Sequence, residues 1–221
     1  MRIIIVGGGK LAYYLVKTLI PSRHDITIIE QRKDVCEKIA TDFEDVQVYN
    51  GDGTNIDILE KAKCERADFL VAVTGKDENN LIACEIAKKR FKVAQTVAKV
   101  NNPKNIEMFH RLGVDKPVSS TQILANVIEQ EIEYVGMRIA FKIENSTKSI
   151  VEFDLSPKSS AVNKTLKEYS FPGDSKLVLI TRKDGSIVMP QGDVFMKAED
   201  NILMVCDEKS YDTIWRVMVK R

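Results

Sequence analysis

Short runs of Ile, Val and Leu alternate, over the first 118 residues, with stretches whose apolar positions recur every three or four residues. Apolar runs of four to seven residues suit strands buried on both faces, and the longer periodic stretches suit helices packed on one face. The alternation therefore predicts strand–helix units feeding a parallel sheet. Five such units are readable. Strands are expected at residues 2–6, 25–30, 46–49, 68–74 and about 96–100. Helices are expected at 10–20, where Leu11, Leu15, Val16 and Leu19 share a face and Pro21 stops the run, at 34–43, after Thr54, at 77–91, and from Pro103 to near Gly113.

The rhythm changes after Val118. Ser119 and Gln122 have the spacing of a capping box, and Ile123, Leu124, Val127, Ile128, Ile132 and Val135 mark an amphipathic helix linking two domains. Beyond Gly136 come short strands separated by turn signals at Ser156-Pro157, Phe171-Pro172-Gly173, Lys183-Asp184-Gly185 and Gln191-Gly192-Asp193. The fold class expected is α/β. A Rossmann-like parallel sheet with helices on both faces and the linking helix would occupy residues 1–136, and a small α+β domain residues 137–221.

Chemistry concentrates at the first strand end. Gly7-Gly8-Gly9-Lys10-Leu11-Ala12 follows a strand and opens a helix, fitting G-x-G-x-x-G/A. Gly7 permits the tight turn, Gly9 lets a pyrophosphate approach the backbone, and Ala12 allows close helix-to-strand packing. The start of the helix, Lys10 and Leu11 included, supplies free N–H groups and a positive dipole end. Glu30 ends the second strand, where a carboxylate can accept ribose hydroxyls, with Gln31 beside it. It favours NAD or a plain adenine nucleotide over NADP, although Arg32 and Lys33 weaken that discrimination. Other strand ends should line the same crevice. Asp52 and Gly53 follow the third strand, Asp52 reading either as an adenine-side contact or as a capping turn. Thr74 and Gly75 follow the fourth, and Lys99, near the end of the fifth, is either a phosphate partner or a surface lysine.

Composition narrows the function classes. Of 221 residues, 44% are hydrophobic and 29% charged, as in globular proteins, and no apolar run reaches the length of about 20 that spans a bilayer. Met1 leads straight into a strand, so the expectation is a cytoplasmic chain without a signal peptide. Thirty-three basic and 32 acidic residues are interspersed, which argues against nucleic acid as a partner. Cys36, Cys64, Cys84 and Cys206 lack metal or redox spacing. His24 and His110 read as structural, and one of Tyr13 and Tyr14 should face the sheet. A small NAD-dependent oxidoreductase is the rival reading of the fingerprint, but no tyrosine–lysine or histidine–carboxylate pair is placed for hydride chemistry. A redox-sensing transcription factor is disfavoured by the lack of a basic recognition helix.

Gly7 to Ala12, Ile29-Glu30, Gly51-Asp52-Gly53-Thr54, Val73-Thr74 and Ala98-Lys99-Val100-Asn101-Asn102-Pro103, in that order, resemble the TrkA/KtrA family of cytoplasmic potassium-transport subunits. The resemblance runs over essentially the whole chain. It implies an N-terminal RCK (regulator of potassium conductance) domain and a C-terminal TrkA-C domain. It also implies a sensor of NAD(H) or ATP, ADP or AMP that forms homo- or hetero-oligomers, dimers closing into an octameric ring, on a membrane potassium channel or transporter subunit. By the same resemblance, Gly7, Gly9 and Ala12 would meet the pyrophosphate, Glu30 the ribose, Asp52 the adenine side, and Thr74 and Lys99 the ribose or phosphates. The chain departs from the family in having Ala12 where glycine is commoner, and in lacking a glycine near the start of the linking helix.

Overall fold

The computed structural model describes residues 1–143 and 146–220, which divide into two compact units, Met1–Leu124 and Ala125–Arg221. In the first, strands β1 (Arg2–Val6), β2 (Asp25–Glu30), β3 (Gln47–Asn50), β4 (Phe69–Ala72), β5 (Gln95–Lys99) and β6 (Lys116–Val118) form one parallel sheet in the order β3-β2-β1-β4-β5-β6. Helices α1 (Lys10–Leu19), α2 (Lys33–Asp42), α3 (Ile56–Lys61), α4 (Asp77–Lys89) and α5 (Ile106–Arg111) connect them.

The continuous apolar run of β1 is explained by two cores, one on each face of the sheet. Ile3 and Ile5 pack with Ala12 and Val16 of α1 and Ile39 of α2. Ile4 and Val6 pack with Leu59 of α3, Ala83, Cys84 and Ala87 of α4 and Phe109 of α5. Of the tyrosine pair, Tyr13 lies against Phe43 with ring centroids 4.9 Å apart, and Tyr14 is exposed. The five units expected become six strands. The addition, β6, contains Pro117 and pairs with β5 at the sheet edge, where a residue without an N–H is tolerated.

In the second unit, β7 (Met137–Lys142), β8 (Lys148–Asp154), β9 (Lys176–Thr181), β10 (Ile187–Val188) and β11 (Asn201–Asp207) form an antiparallel sheet in the order β10-β9-β11-β8-β7. Val151, Phe153, Ile180, Ile202, Met204 and Cys206 face a core closed by Tyr211 and Ile214 of α7 (Tyr211–Ile214) and by Met218 of the π turn that follows. The turn at Lys183-Asp184-Gly185 joins β9 to β10, with Gly185 at φ +82°.

Helix α6 (Ser120–Glu133) runs from the first unit into the second. Ser119 caps it, its Oγ accepting from the Gln122 N–H at 3.4 Å. Its stripe stands open to solvent: Leu124 is 61% exposed and Ile132 73%. Among the described residues, no helix is long and apolar enough to cross a membrane.

Candidate functional site

Strand order reverses between β1 and β4, and ligands of open α/β sheets sit at such a reversal, outside the carboxyl ends of the strands. A crevice of about 410 Å³ lies there. Gly7, Gly9, Glu30, Gln31, Asp52, Gly53, Thr74 and Gly75, all expected from the sequence, line it together with Arg32, Thr54, Lys76 and Asn79.

The glycines have different reasons to be there. Gly7 sits at φ +102°, and a Cβ on it would lie 3.1 Å from the Thr74 nitrogen, so the turn and its packing on β4 both require glycine. A Cβ on Gly53 would overlap the Val6 side chain. Gly9 is otherwise. Its backbone is extended at φ −69°, and a Cβ would meet nothing within 4 Å. Folding does not demand glycine at this position. Gly9 begins α1, which has no side-chain cap and no acid in its first turn. The first N–H groups of any helix lack intrahelical partners, so this end offers donors and positive potential to an anion.

Across the turn, Glu30 is 8% exposed. Its Oε2 accepts from the Gly8 N–H at 2.6 Å, and its Oε1 from the Arg32 N–H at 2.9 Å and Arg32 Nε at 3.0 Å. Burial alone would raise this carboxyl. The side-chain and backbone hydrogen bonds from Arg32, the Gly8 N–H and the guanidinium charge outweigh it and hold Glu30 below the usual carboxylate range. Glu30 is thus an ionised acceptor tied to the phosphate turn.

The remaining expected residues fall at different distances from the crevice. Asp52 is exposed at the rim, its Oδ1 accepting from the Thr54 N–H at 2.9 Å and hydroxyl at 2.7 Å, while Asn55 caps α3. Lys10 and Leu11 are exposed and Ala12 is fully buried on the sheet side of α1, and none of the three is among the groups lining the crevice. The Lys99 side chain is not among the lining groups. β5 stands two places from β1 in the sheet, and the Lys99 carbonyl accepts from Asn80 Nδ2.

Two asparagines that motif reading passed over hold the walls. Asn50, at the end of β3, donates to the Glu30 carbonyl at 3.0 Å and the Gln31 carbonyl at 2.8 Å. Asn80, fully buried in α4, joins Thr74 at the end of β4 to the Lys99 carbonyl on β5. Asp77 accepts from the Asn101 and Asn102 N–H groups and from the Asn105 side chain, which ties the start of α4 to the segment before α5. Asn80 is fully buried and Asn50 is exposed, so no shared burial pattern marks these clamps.

No cysteine or histidine is among the described residues lining the crevice. Burial pushes the Cys64 and Cys84 thiols up to about 12. Among the described residues, no group of three His, Cys, Asp or Glu side chains is placed to hold a metal.

Comparison with known proteins agrees with this architecture. The family model of the TrkA-N domain matches residues 3–120, and that of the TrkA-C domain matches residues 150–217. A Trk system potassium uptake protein TrkA homolog of Methanothermobacter thermautotrophicus is 30% identical over 197 residues, covering 89% of each chain. The Trk system potassium uptake protein TrkA of Mycobacterium tuberculosis is 27% identical over 220 residues, 99% of each chain. In a Methanosarcina mazei relative, TrkA homolog 2, the match covers 92% of this chain and 45% of the relative. Among solved structures, the GsuK channel bound to NAD superposes with a TM-score of 0.66 at 16% identity, over 98% of this chain and 39% of that one. The Kef CTD of Shewanella denitrificans in AMP-bound form does so at 0.52 and 22% identity, over 60% of this chain and 80% of that one.

Proposed function

The chain belongs to the TrkA family, and from that premise we propose that it is a nucleotide-sensing regulatory subunit of a membrane potassium-uptake system, working at the cytoplasmic face. The observation that carries the reading is Gly9. It is a glycine that folding does not need, at an uncapped helix start, across from an ionised carboxylate at the end of β2. That pairing suits an adenine nucleotide, with pyrophosphate over the turn and ribose hydroxyls toward Glu30. Relatives carry the names of Trk potassium-uptake proteins, and similarly folded structures hold NAD, ADP or AMP, which supports NAD(H) or an adenine nucleotide here.

The role is regulatory and not catalytic. The titratable groups lining the crevice are Glu30, Asp52, Arg32 and Lys76, and both carboxylates are already engaged, by Gly8 and Arg32 and by Thr54. A ligand shifts a conformational equilibrium only by its differential affinity for the two states, so gating here means that the crevice changes shape between them. Transmission needs an assembly. We assign it to the exposed face of α6, where Leu124, Val127, Ile128 and Ile132 would pack on a second copy as a two-fold dimer, with dimers closing into an octameric ring on the channel subunit. Titration calorimetry of the purified chain with ADP and NADH tests the ligand: a Kd in the micromolar range, roughly −8 kcal/mol, is expected. No heat with either nucleotide refutes the reading.

A further inference from the structure

Resting on the reading of the crevice as a nucleotide site, we infer that Asn80 fixes the polarity of the Thr74 hydroxyl and so makes the site prefer nucleotides carrying a second sugar beyond the pyrophosphate. The Asn80 amide has only one orientation open to it. Its Oδ1 lies 2.8 Å from the Thr74 nitrogen, which can only donate, and its Nδ2 lies 2.8 Å from the Lys99 carbonyl, which can only accept. The same Oδ1 is 2.7 Å from Thr74 Oγ1. An oxygen facing a hydroxyl at that distance receives its hydrogen. The competing acceptor, the Lys76 carbonyl, is farther away at 3.1 Å.

A threonine has one hydroxyl hydrogen, and Asn80 takes it. What Thr74 then presents to the crevice is lone pairs, consistent with the Lys76 N–H approaching the same oxygen at 3.3 Å. A group meeting Thr74 must therefore donate. Phosphate oxygens accept, and sugar hydroxyls donate.

Position decides which group arrives there. Glu30 on β2 and Thr74 after β4 stand on opposite sides of β1 and its glycine turn, and Thr74 packs directly against Gly7. With ribose at Glu30 and pyrophosphate at Gly9, the next group along the ligand reaches Thr74. In ADP or ATP the end of that direction is phosphate. In ADP-ribose or NAD(H) it is a second ribose. Lys76, on the same loop, offers its charge to the phosphates of either class.

ADP and ADP-ribose share their adenosine and both phosphorus atoms, but ADP carries one more negative charge on its terminal phosphate, so the change in the ratio of their Kd values between wild type and Thr74→Val, measured by calorimetry on the full chain, isolates this contact. The ratio should favour ADP-ribose fivefold to tenfold more in the wild type than in Thr74→Val, about one net hydrogen bond. Thr74→Val, which keeps shape and the backbone N–H but removes the hydroxyl, should make that difference by weakening ADP-ribose alone. Asn80→Ala frees the hydroxyl to turn and should lower the ratio in the same direction. The double variant should show the ratio of Thr74→Val. A ratio that Thr74→Val leaves unchanged overturns the inference and leaves the nucleotide reading standing, whereas a wild type that binds neither ligand removes both. An Asn80→Ala protein with a lower melting temperature but an unchanged ratio gives Asn80 a purely structural role and also overturns it. Should that variant not fold, Thr74→Val decides alone.

Discussion

Replacing Gly9 by aspartate should separate binding from folding. The position is extended at φ −69°, and the new Cβ would enter open space, so the native backbone accepts any side chain. Helix α1 lacks a side-chain cap, and an aspartate in place of glycine at its N-cap should add a few tenths of a kcal/mol, raising the melting temperature by about 1 °C. Binding should move the other way. At about 5 Å and an effective dielectric of about 20, two unit charges repel by about 3 kcal/mol. A doubly charged pyrophosphate therefore loses about 3 kcal/mol even after salt and water screen half of the repulsion. That is more than 100-fold in affinity. Gly9→Ala, which adds bulk without charge, should lose about tenfold. Calorimetry with ADP and a thermal melt of each variant provide the comparison. Undiminished binding by Gly9→Asp would refute the placement of the pyrophosphate, and loss of binding together with loss of stability would show that Gly9 serves the fold after all.

Three other outcomes are expected. Glu30→Ala should weaken NAD and bring the NAD to NADP ratio toward one, because it removes both the ribose acceptor and the repulsion of a 2′-phosphate. It should also destabilise the chain by about 1–3 kcal/mol in urea unfolding, since the Gly8 N–H loses its partner. Glu30, which is buried, and Asp77 and Asp115, which are half-buried, are held below their ordinary pKa values by their donors, which outweigh desolvation. Groups depressed in the folded state add stability that is present above the unfolded carboxylate pKa, about 4, and lost as pH falls through the lower folded values. Urea midpoints should thus be level from neutral pH to about 5 and fall steeply below about 4. Finally, Val127→Glu with Ile128→Lys should dissociate the assembly in light scattering while leaving ADP bound per subunit. A wild type that is monomeric at micromolar concentration would refute the role given to α6.

The sheet and the glycine turn were legible in the sequence because their causes are local. Strands buried on both faces must be apolar throughout, as in Ile3, Ile4 and Ile5, and a φ of +102° at Gly7 leaves a glycine in the text. Strand β6 was not legible, since Pro117 argues against a strand until the residue is known to lie on a sheet edge. The clamps were hidden for a different reason. Asn50 reaches 19 and 20 residues back to Gln31 and Glu30, and Asn80 reaches 19 forward to Lys99. Nothing near an asparagine in a sequence distinguishes one that bridges strand ends from one that caps a turn. Lys99 is not among the groups lining the crevice, and sequence order does not reveal how many strands separate a residue from the reversal.

The arithmetic of gating explains how so small a device as one hydroxyl can matter. Moving a two-state equilibrium from 1:99 to 99:1 takes about 5.5 kcal/mol of differential binding. A single crevice would have to find all of this in one nucleotide, several hydrogen bonds made in one state and absent in the other. A ring of eight copies switching together needs only about 0.7 kcal/mol per site, which is within the net value of one hydrogen bond. The contact between Thr74 and a ligand hydroxyl has that size. If the Thr74 wall shifts relative to the Gly7–Gly9 turn between states, its loss in Thr74→Val should flatten the response of potassium uptake to ADP-ribose or NADH while the ligand still binds through Glu30 and the phosphate turn. A full uptake response in that variant would mean that the switching energy comes from the Glu30 side of the crevice.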